Sequence, residues 1–257
     1  VQVYSYLRRL AALDLGISYR TQRPVVDIIL ERVPATLLLT VPALLLAILV
    51  GTSLGMSAAT RAGSWKDTLI TSLAMVFYAT PVFWVGLLLI LLLSVSLGLL
   101  PPFGMSGFIR KTGLPGALDV LRHLVMPVVS LALFYMAVYV RVARAATIEV
   151  LGRDFVRAAR AKGLSSAGVV RGHVLRNSVL PIVTLAGLQV GQVLGGAVVV
   201  ESVFAWPGIG RLAFDALMQR DYNVILGVFF VSSALVVVAN LLTDVSLRMI
   251  DPRIGRA

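Results

Sequence analysis

The chain has no cysteine, only two histidines and only three lysines among its 257 residues. Without thiols, disulfides and thiolate metal sites are excluded. His123 and His173 stand far apart and outside any metal-spaced cluster, so no metal site is expected. The lysines follow Trp65, Arg110 and Ala161, never a glycine, so the G-x-x-x-x-G-K-[ST] phosphate loop is absent. Any ATP must therefore be bound by another polypeptide. No nucleophile–base pair at a usable spacing stands out either, so the chain is expected to be a non-catalytic subunit with no cofactor of its own.

Charge is scarce too. Only 14% of residues are charged, against about a quarter in an ordinary soluble domain. Hydrophobic residues make up 58%, and the mean hydropathy is +0.93. The formal charge of +11 could suggest nucleic acid. The long apolar runs favour basic loops lying against membrane lipid instead, and no nucleic-acid partner is expected.

Crossing the hydrocarbon takes about 20 apolar residues of helix. Uncharged runs of that order cover residues 33–60, 68 to beyond 93, 124–140, 177–200 and 222–243. Pro101, Pro102 and Gly104 close the second, so its helix is expected to end near Gly98. All five should be helices, because a lone strand in lipid leaves its backbone unpaired. The fold class is therefore all-α: a polytopic helical bundle with five transmembrane helices visible.

Basic residues orient it. Eight Lys or Arg fall between Arg141 and Arg176, which marks that loop as cytoplasmic. The turn with Arg61 and Lys66 and the tail 251–257 share that side. Five spans then put residues 1–32 outside the cell. That segment has no signal-like apolar stretch, so one further helix is expected to precede it. Residues 33–250 form the transmembrane domain.

The stretch Asp154-Phe-Val-Arg-Ala-Ala-Arg-Ala-Lys-Gly163-Leu-Ser leads on to His173-Val-Leu-Arg-Asn-Ser-Val-Leu-Pro181. Together they resemble the EAA-type loop of ABC importer permeases, in the long form of dipeptide and oligopeptide permeases. Further stretches match the same family in order: Asp14-Leu-Gly-Ile-Ser-Tyr-Arg-Thr, Pro81-Val-Phe-Trp-Val-Gly86, Leu99-Leu-Pro-Pro, Glu201-Ser-Val-Phe-Ala-Trp-Pro-Gly-Ile-Gly210, Arg220-Asp-Tyr222 and Asp251-Pro-Arg-Ile. The resemblance covers essentially the whole chain. It departs at Arg157, where the loop's name expects glutamate.

The resemblance implies a type I importer permease with six helices, its first missing here, in a bacterial plasma (inner) membrane. It implies a second homologous permease, two ATP-binding subunits and an extracytoplasmic substrate-binding protein. It implies that loop 149–178 couples to the ATPase through Asp154, Arg157, Ala158, Ala159, Lys162, Gly163, Leu164, His173, Arg176, Asn177 and Pro181. The cargo implied is di- or oligopeptide, with nickel, glutathione or haem as alternatives. The residues alone support a stiff docking element. Asp154–Lys162 is rich in helix formers, with Asp154 suited to its start and Gly163 to its end. A second short helix is expected over 166–176, with Pro181 opening the next span.

Gly187, Gly191 and Gly195 recur every four residues, a spacing that lets helices approach closely. It suits packing inside the subunit or contact with a second permease at the translocation path. Asn240 and Asp244 are the polar residues near the inner end of the last span. An ionisable group there is a functional candidate, as a secondary transporter would require, although Arg248 stands at ion-pair spacing from Asp244. The external stretch 201–222 is expected to dip back or lie in the interface, near the mouth of the path, with Trp206 and Tyr222 as anchors. Pro81 and Pro127 are expected to kink their spans.

Overall fold

Among the 257 residues, the computed structural model describes 14–107, 109 and 112–250. Residues 1–13, Arg110, Lys111 and the tail 251–257 lie outside the described residues, as do the side chains of His173, Arg176, Gly195, Asp244 and Arg248. Every regular element described is a helix, apart from one isolated bridge between Ile17 and Pro24. In chain order the helices are α1 (Val25–Leu30), α2 (Val33–Ala59), α3 (Trp65–Ala79), α4 (Val82–Leu89, continuing as a π-helix Ile90–Ser96) and α5 (Gly113–Leu151). Then come α6 (Asp154–Ala161), α7 (Ser166–Val169, continuing as a π-helix Val170–Val174), α8 (Leu175–Val203), α9 (Ile209–Gln219) and α10 (Tyr222–Ile250).

Each expected apolar run is helical, and four lie within single helices. The second does not. It is split into Trp65–Ala79 and Val82–Ser96, bent by 101° at the break. Thr80 is extended, at φ −85° and ψ 129°, as the residue before Pro81 must be. The single helix expected from 68 to near Gly98, kinked at Pro81, is therefore corrected to two helices broken there. Pro127, by contrast, sits inside the continuous helix α5. Among the described residues, Val25–Ala59, Gly113–Leu151 and Tyr222–Thr243 are long and apolar enough to cross a membrane. The bent pair counts as a fourth if taken as one span.

The described chain divides into two compact units. One holds residues 14–41, Val82–Ser130 and Gly191–Ala239; the other holds Pro42–Pro81, Leu131–Val190 and residues 240–250.

In the first unit, residues 14–32 are not a loose external segment. Val25 and Ile29 of α1 are fully enclosed against Ile209 and Ala216 of α9 and Val224 and Val228 of α10. Gly227 makes the approach possible, since a Cβ there would stand 2.5 Å from Val25 Cγ1. The turn before α1 is tied to the start of α10 by buried Asp221. Its carboxylate accepts from the Ser18 hydroxyl at 2.5 Å and from the backbone N–H of Arg20 and Val224. Burial opposes charge on Asp221, and these donors, with the Tyr19 N–H, outweigh it and hold the carboxyl below its ordinary value.

In the second unit, α3 packs on α5 in antiparallel register. Asp67 meets Arg144 in two contacts of 2.7 Å, and Tyr78 stacks on Phe134 at 5.6 Å. Ala74, Ala137 and Val140 fill the space between. Asp67 is 5% exposed and also accepts from Gly63 N–H at 2.9 Å, closing the turn before α3. Beside this seam on α5, Gly51 and Gly55 form a small-xxx-small pair. A Cβ at Gly55 would stand 2.4 Å from the Val140 carbonyl, and one at Gly51 2.7 Å from that of Met136. Lipid offers no hydrophobic drive to bring helices together, so such backbone approach and ion pairing carry the packing.

Two outcomes follow. Gly55→Leu lowers the thermal midpoint of the detergent-purified protein, costing roughly 1–3 kcal/mol as overpacking does, while Ser53→Ala on the exposed side changes it little. Asp221, with its folded pKa depressed, stabilises the fold above its unfolded pKa and loses that contribution as pH falls toward the folded value. Acid unfolding below about pH 5 should therefore be steeper in wild type than in Asp221→Asn, read as midpoint against pH.

Candidate functional site

The segment expected to couple to an ATPase forms an elbow with a core of its own. Val156 and Ala159 stand three positions apart in α6, so they share one face. That face is buried against Val150 at the end of α5 and against Val169 and Val174. The opposite face is free. Asp154 is 98% and Arg157 74% exposed, and Ala158, Lys162 and Leu164 are exposed beside them. The pairs Glu149–Arg153 at 2.5 Å and Asp154–Arg157 at 3.6 Å are solvent-facing and contribute little.

Gly163 ends α6 at φ +82°, a left-handed conformation that a β-carbon disfavours. The next residue, Leu164, donates from its N–H to the Ala159 carbonyl at 3.3 Å, the six-to-one bond of a Schellman stop. Ser165 opens α7 by accepting from Gly168 N–H at 3.2 Å. Sequence reasoning named Gly163 but not this cap, although a serine one residue before a helix is its ordinary signal.

The expected second short helix is corrected. Residues 166–203 run as one helical path through a π-helical stretch, with Pro181 inside α8 rather than opening it. Proline costs one backbone bond there, which an apolar helix tolerates because unwinding would expose more. Asn177 and Pro181 line a cavity of about 230 Å³ with Glu149, Arg153 and Phe155. The structure thus brings Phe155, next to Asp154, together with Asn177 and Pro181. For His173 and Arg176 only the helical backbone is described.

The other candidates land differently. Gly187 packs on Thr243, its absent Cβ only 2.3 Å from Thr243 Cγ2, and Gly191 packs on Val236, both contacts within this chain. Asn240 is exposed on α10. Trp206 is corrected outright. It is no surface anchor but fully enclosed, donating its indole N–H to the Ala35 carbonyl at 2.8 Å, whereas Tyr222 is 63% exposed.

Around Trp206 lies a site that the sequence reading missed. Helix α9 begins at Gly208, which brings no capping side chain. The first helical N–H groups are met from elsewhere. Ile209 donates to the Thr36 hydroxyl at 2.8 Å, Arg211 to Glu201 Oε2 at 2.9 Å, and Gly210 also to Glu201. Thr36 in turn donates to Glu201 Oε1 at 2.7 Å. The Glu201 carboxylate has no exposed surface and sits where the helix dipole favours negative charge. The signal available in sequence was a lone acid at the end of an apolar run, followed by two closely spaced glycines. A Cβ on Gly208 would fall 2.1 Å from Glu201 Oε1, and one on Gly210 2.5 Å from Val198 Cα.

Comparison with known proteins gives the class to which this helical membrane fold belongs. The family model described as "Binding-protein-dependent transport system inner membrane component" matches residues 51–256. The dipeptide transport system permease protein DppB of Escherichia coli (strain K12) is 39% identical over 94% of this chain and 76% of its own length. The di/tripeptide transport system permease protein DppB of Pseudomonas aeruginosa (strain UCBPP-PA14) is 40% identical over 98% of this chain and 80% of its own. A solved structure of the MetNI methionine ABC transporter in an inward-facing form is similar with a TM-score of 0.69. It is 18% identical and covers 88% of this chain and 97% of that one, and it shows the fold alone. The chain belongs to the family of binding-protein-dependent transport system inner membrane components. It is a multi-pass inner-membrane subunit of that class, with the type I permease fold.

Proposed function

We propose that this chain is one permease of an ATP-driven importer of di- and oligopeptides, paired with a second homologous permease. Two ATP-binding subunits supply hydrolysis with ATP and magnesium, and an extracytoplasmic binding protein supplies the cargo. The chain itself performs no catalysis. Identity of 39–40% to dipeptide permeases across nearly the whole chain carries this reading.

The elbow docks on an ATP-binding subunit from the cytoplasm. Its exposed face carries Arg157, Lys162 and Leu164, and its buried face gives it the stiffness to pass displacement into α5 and α8. Segment 201–222 faces outward, near the mouth of the path, toward the binding protein. Cargo passes between the paired permeases as access alternates, held weakly, with tight capture left to the binding protein.

The cargo is tested with the assembled complex in lipid nanodiscs. ATPase activity should rise when the binding protein carries peptide, and stay near its resting level with glutathione, haem or nickel. Stimulation by one of these and by no peptide would remove the peptide assignment.

For the elbow, Gly163→Pro fixes φ near −65°, where +82° is needed. ATP hydrolysis should continue while uptake falls at least tenfold, with the subunit still inserted. Gly163→Asn, which tolerates the left-handed region, should retain most uptake. Unchanged uptake in the proline variant would rule out the coupling role.

A further inference from the structure

The first unit carries an open cleft of about 990 Å³, at the upper end of the roughly 300–1,000 Å³ usual for small-molecule sites. Its apolar wall includes Pro102 and Phe103, and its polar wall is Asp119, Arg122, His123 and Arg211. The loop forming the apolar wall is pinned just past Phe103 at two points: Gly104 N–H donates to the Phe204 carbonyl at 2.8 Å and Gly107 N–H to Asp119 Oδ2 at 2.7 Å.

Of the polar groups lining it besides Ser94 and Ser106, Asp119 and His123 are already engaged in holding this frame. Asp119 takes the Gly107 N–H. The His123 ring, 5% exposed, stands with Nδ1 2.8 Å from the Asp119 carbonyl. A carbonyl only accepts, so Nδ1 carries the proton. The two guanidiniums are not so engaged. Among the described residues Arg122 forms no ion pair and no side-chain hydrogen bond, and its side chain is exposed. Arg211 reaches Asp215 only at 3.8 Å, with both side chains more than a third exposed. The wall therefore carries Arg122, without a partner among the described residues, and Arg211, held only loosely by Asp215, both beside an apolar surface, with Asp119 committed to the loop. A guanidinium fork matches a carboxylate in shape as well as charge.

We propose that this cleft is a receiving site for the C-terminal carboxylate of a peptide entering the permease, with Arg122 and Arg211 as its ligands and the Pro102–Phe103 wall against the adjoining residue. It rests on the peptide-import reading and adds that the permease itself reads one end of the cargo. An acidic side chain of the docked binding protein is the competing occupant.

The test compares uptake of a dipeptide with that of its C-terminal amide in the full complex in proteoliposomes. Both are presented on binding protein loaded to saturation, as verified by calorimetry. The double variant Arg122→Gln/Arg211→Gln should lose about tenfold in uptake of the free acid and less than twofold for the amide. Arg122→Lys, keeping the charge, should restore the preference for the acid when paired with wild-type Arg211. Should the double variant not assemble, Arg122→Gln alone, at an exposed position, should lower acid uptake selectively. Equal losses for acid and amide would assign the arginines to binding-protein contact and overturn the proposal, as would no loss at all. Wild-type complex that takes up neither peptide would instead overturn the import reading, and this proposal with it.

Discussion

A backbone N–H or C=O removed from water must find a partner, whether lipid or protein encloses it, and helix ends are where that demand is hardest to meet. Helix α9 starts at a glycine with no capping atom to offer, so a threonine from α2 and a glutamate from α8 supply the acceptors. The start of α3 is served by Ser64 and Asp67, and Asp67 then extends to Arg144 of α5. At Gly163 the last turn of α6 is closed by its own backbone. Two of these three helix ends thus call for buried polar side chains in a chain that is otherwise mostly apolar, and both also fasten one helix to another.

The elbow meets a mechanical requirement by the same means. An eight-residue helix in isolation is too short to persist. Here Val156 and Ala159 lean on Val150, Val169 and Val174, so α6 is held by the helices that flank it. Residues 166–203 run as one helical path, so no break at Pro181 separates the elbow from α8.

Much of this was legible in the residues because it is repetitive. Apolar runs longer than the hydrocarbon announce spans, arginine density announces a side, and Asp154 with Gly163 brackets a short helix by ordinary capping chemistry. The misses are contacts distant in sequence. Trp206 reads as an interface anchor until Ala35, far away in the chain, is seen accepting its N–H. Asp67 looks like a first-turn acid until Arg144 arrives from α5. Gly51 and Gly55 carry the same four-residue spacing as Gly187 and Gly191, and only the fold tells that their neighbour is the α5 backbone. The break at Thr80–Pro81 was foreseeable as a kink from proline. Its size was not, because the angle depends on what each half packs against.

Gly208 and Glu201 occupy the same space from two directions: the carboxylate fills the volume that any side chain at 208 would need. The two positions are consequently not free to drift apart over evolution. A relative that acquired alanine at 208 would have to shorten or withdraw the acid at 201, and one that lost the acid would lose the acceptor for the first turn of α9. Their joint retention, or their joint replacement, is the substitution pattern this packing permits across descendants of the chain.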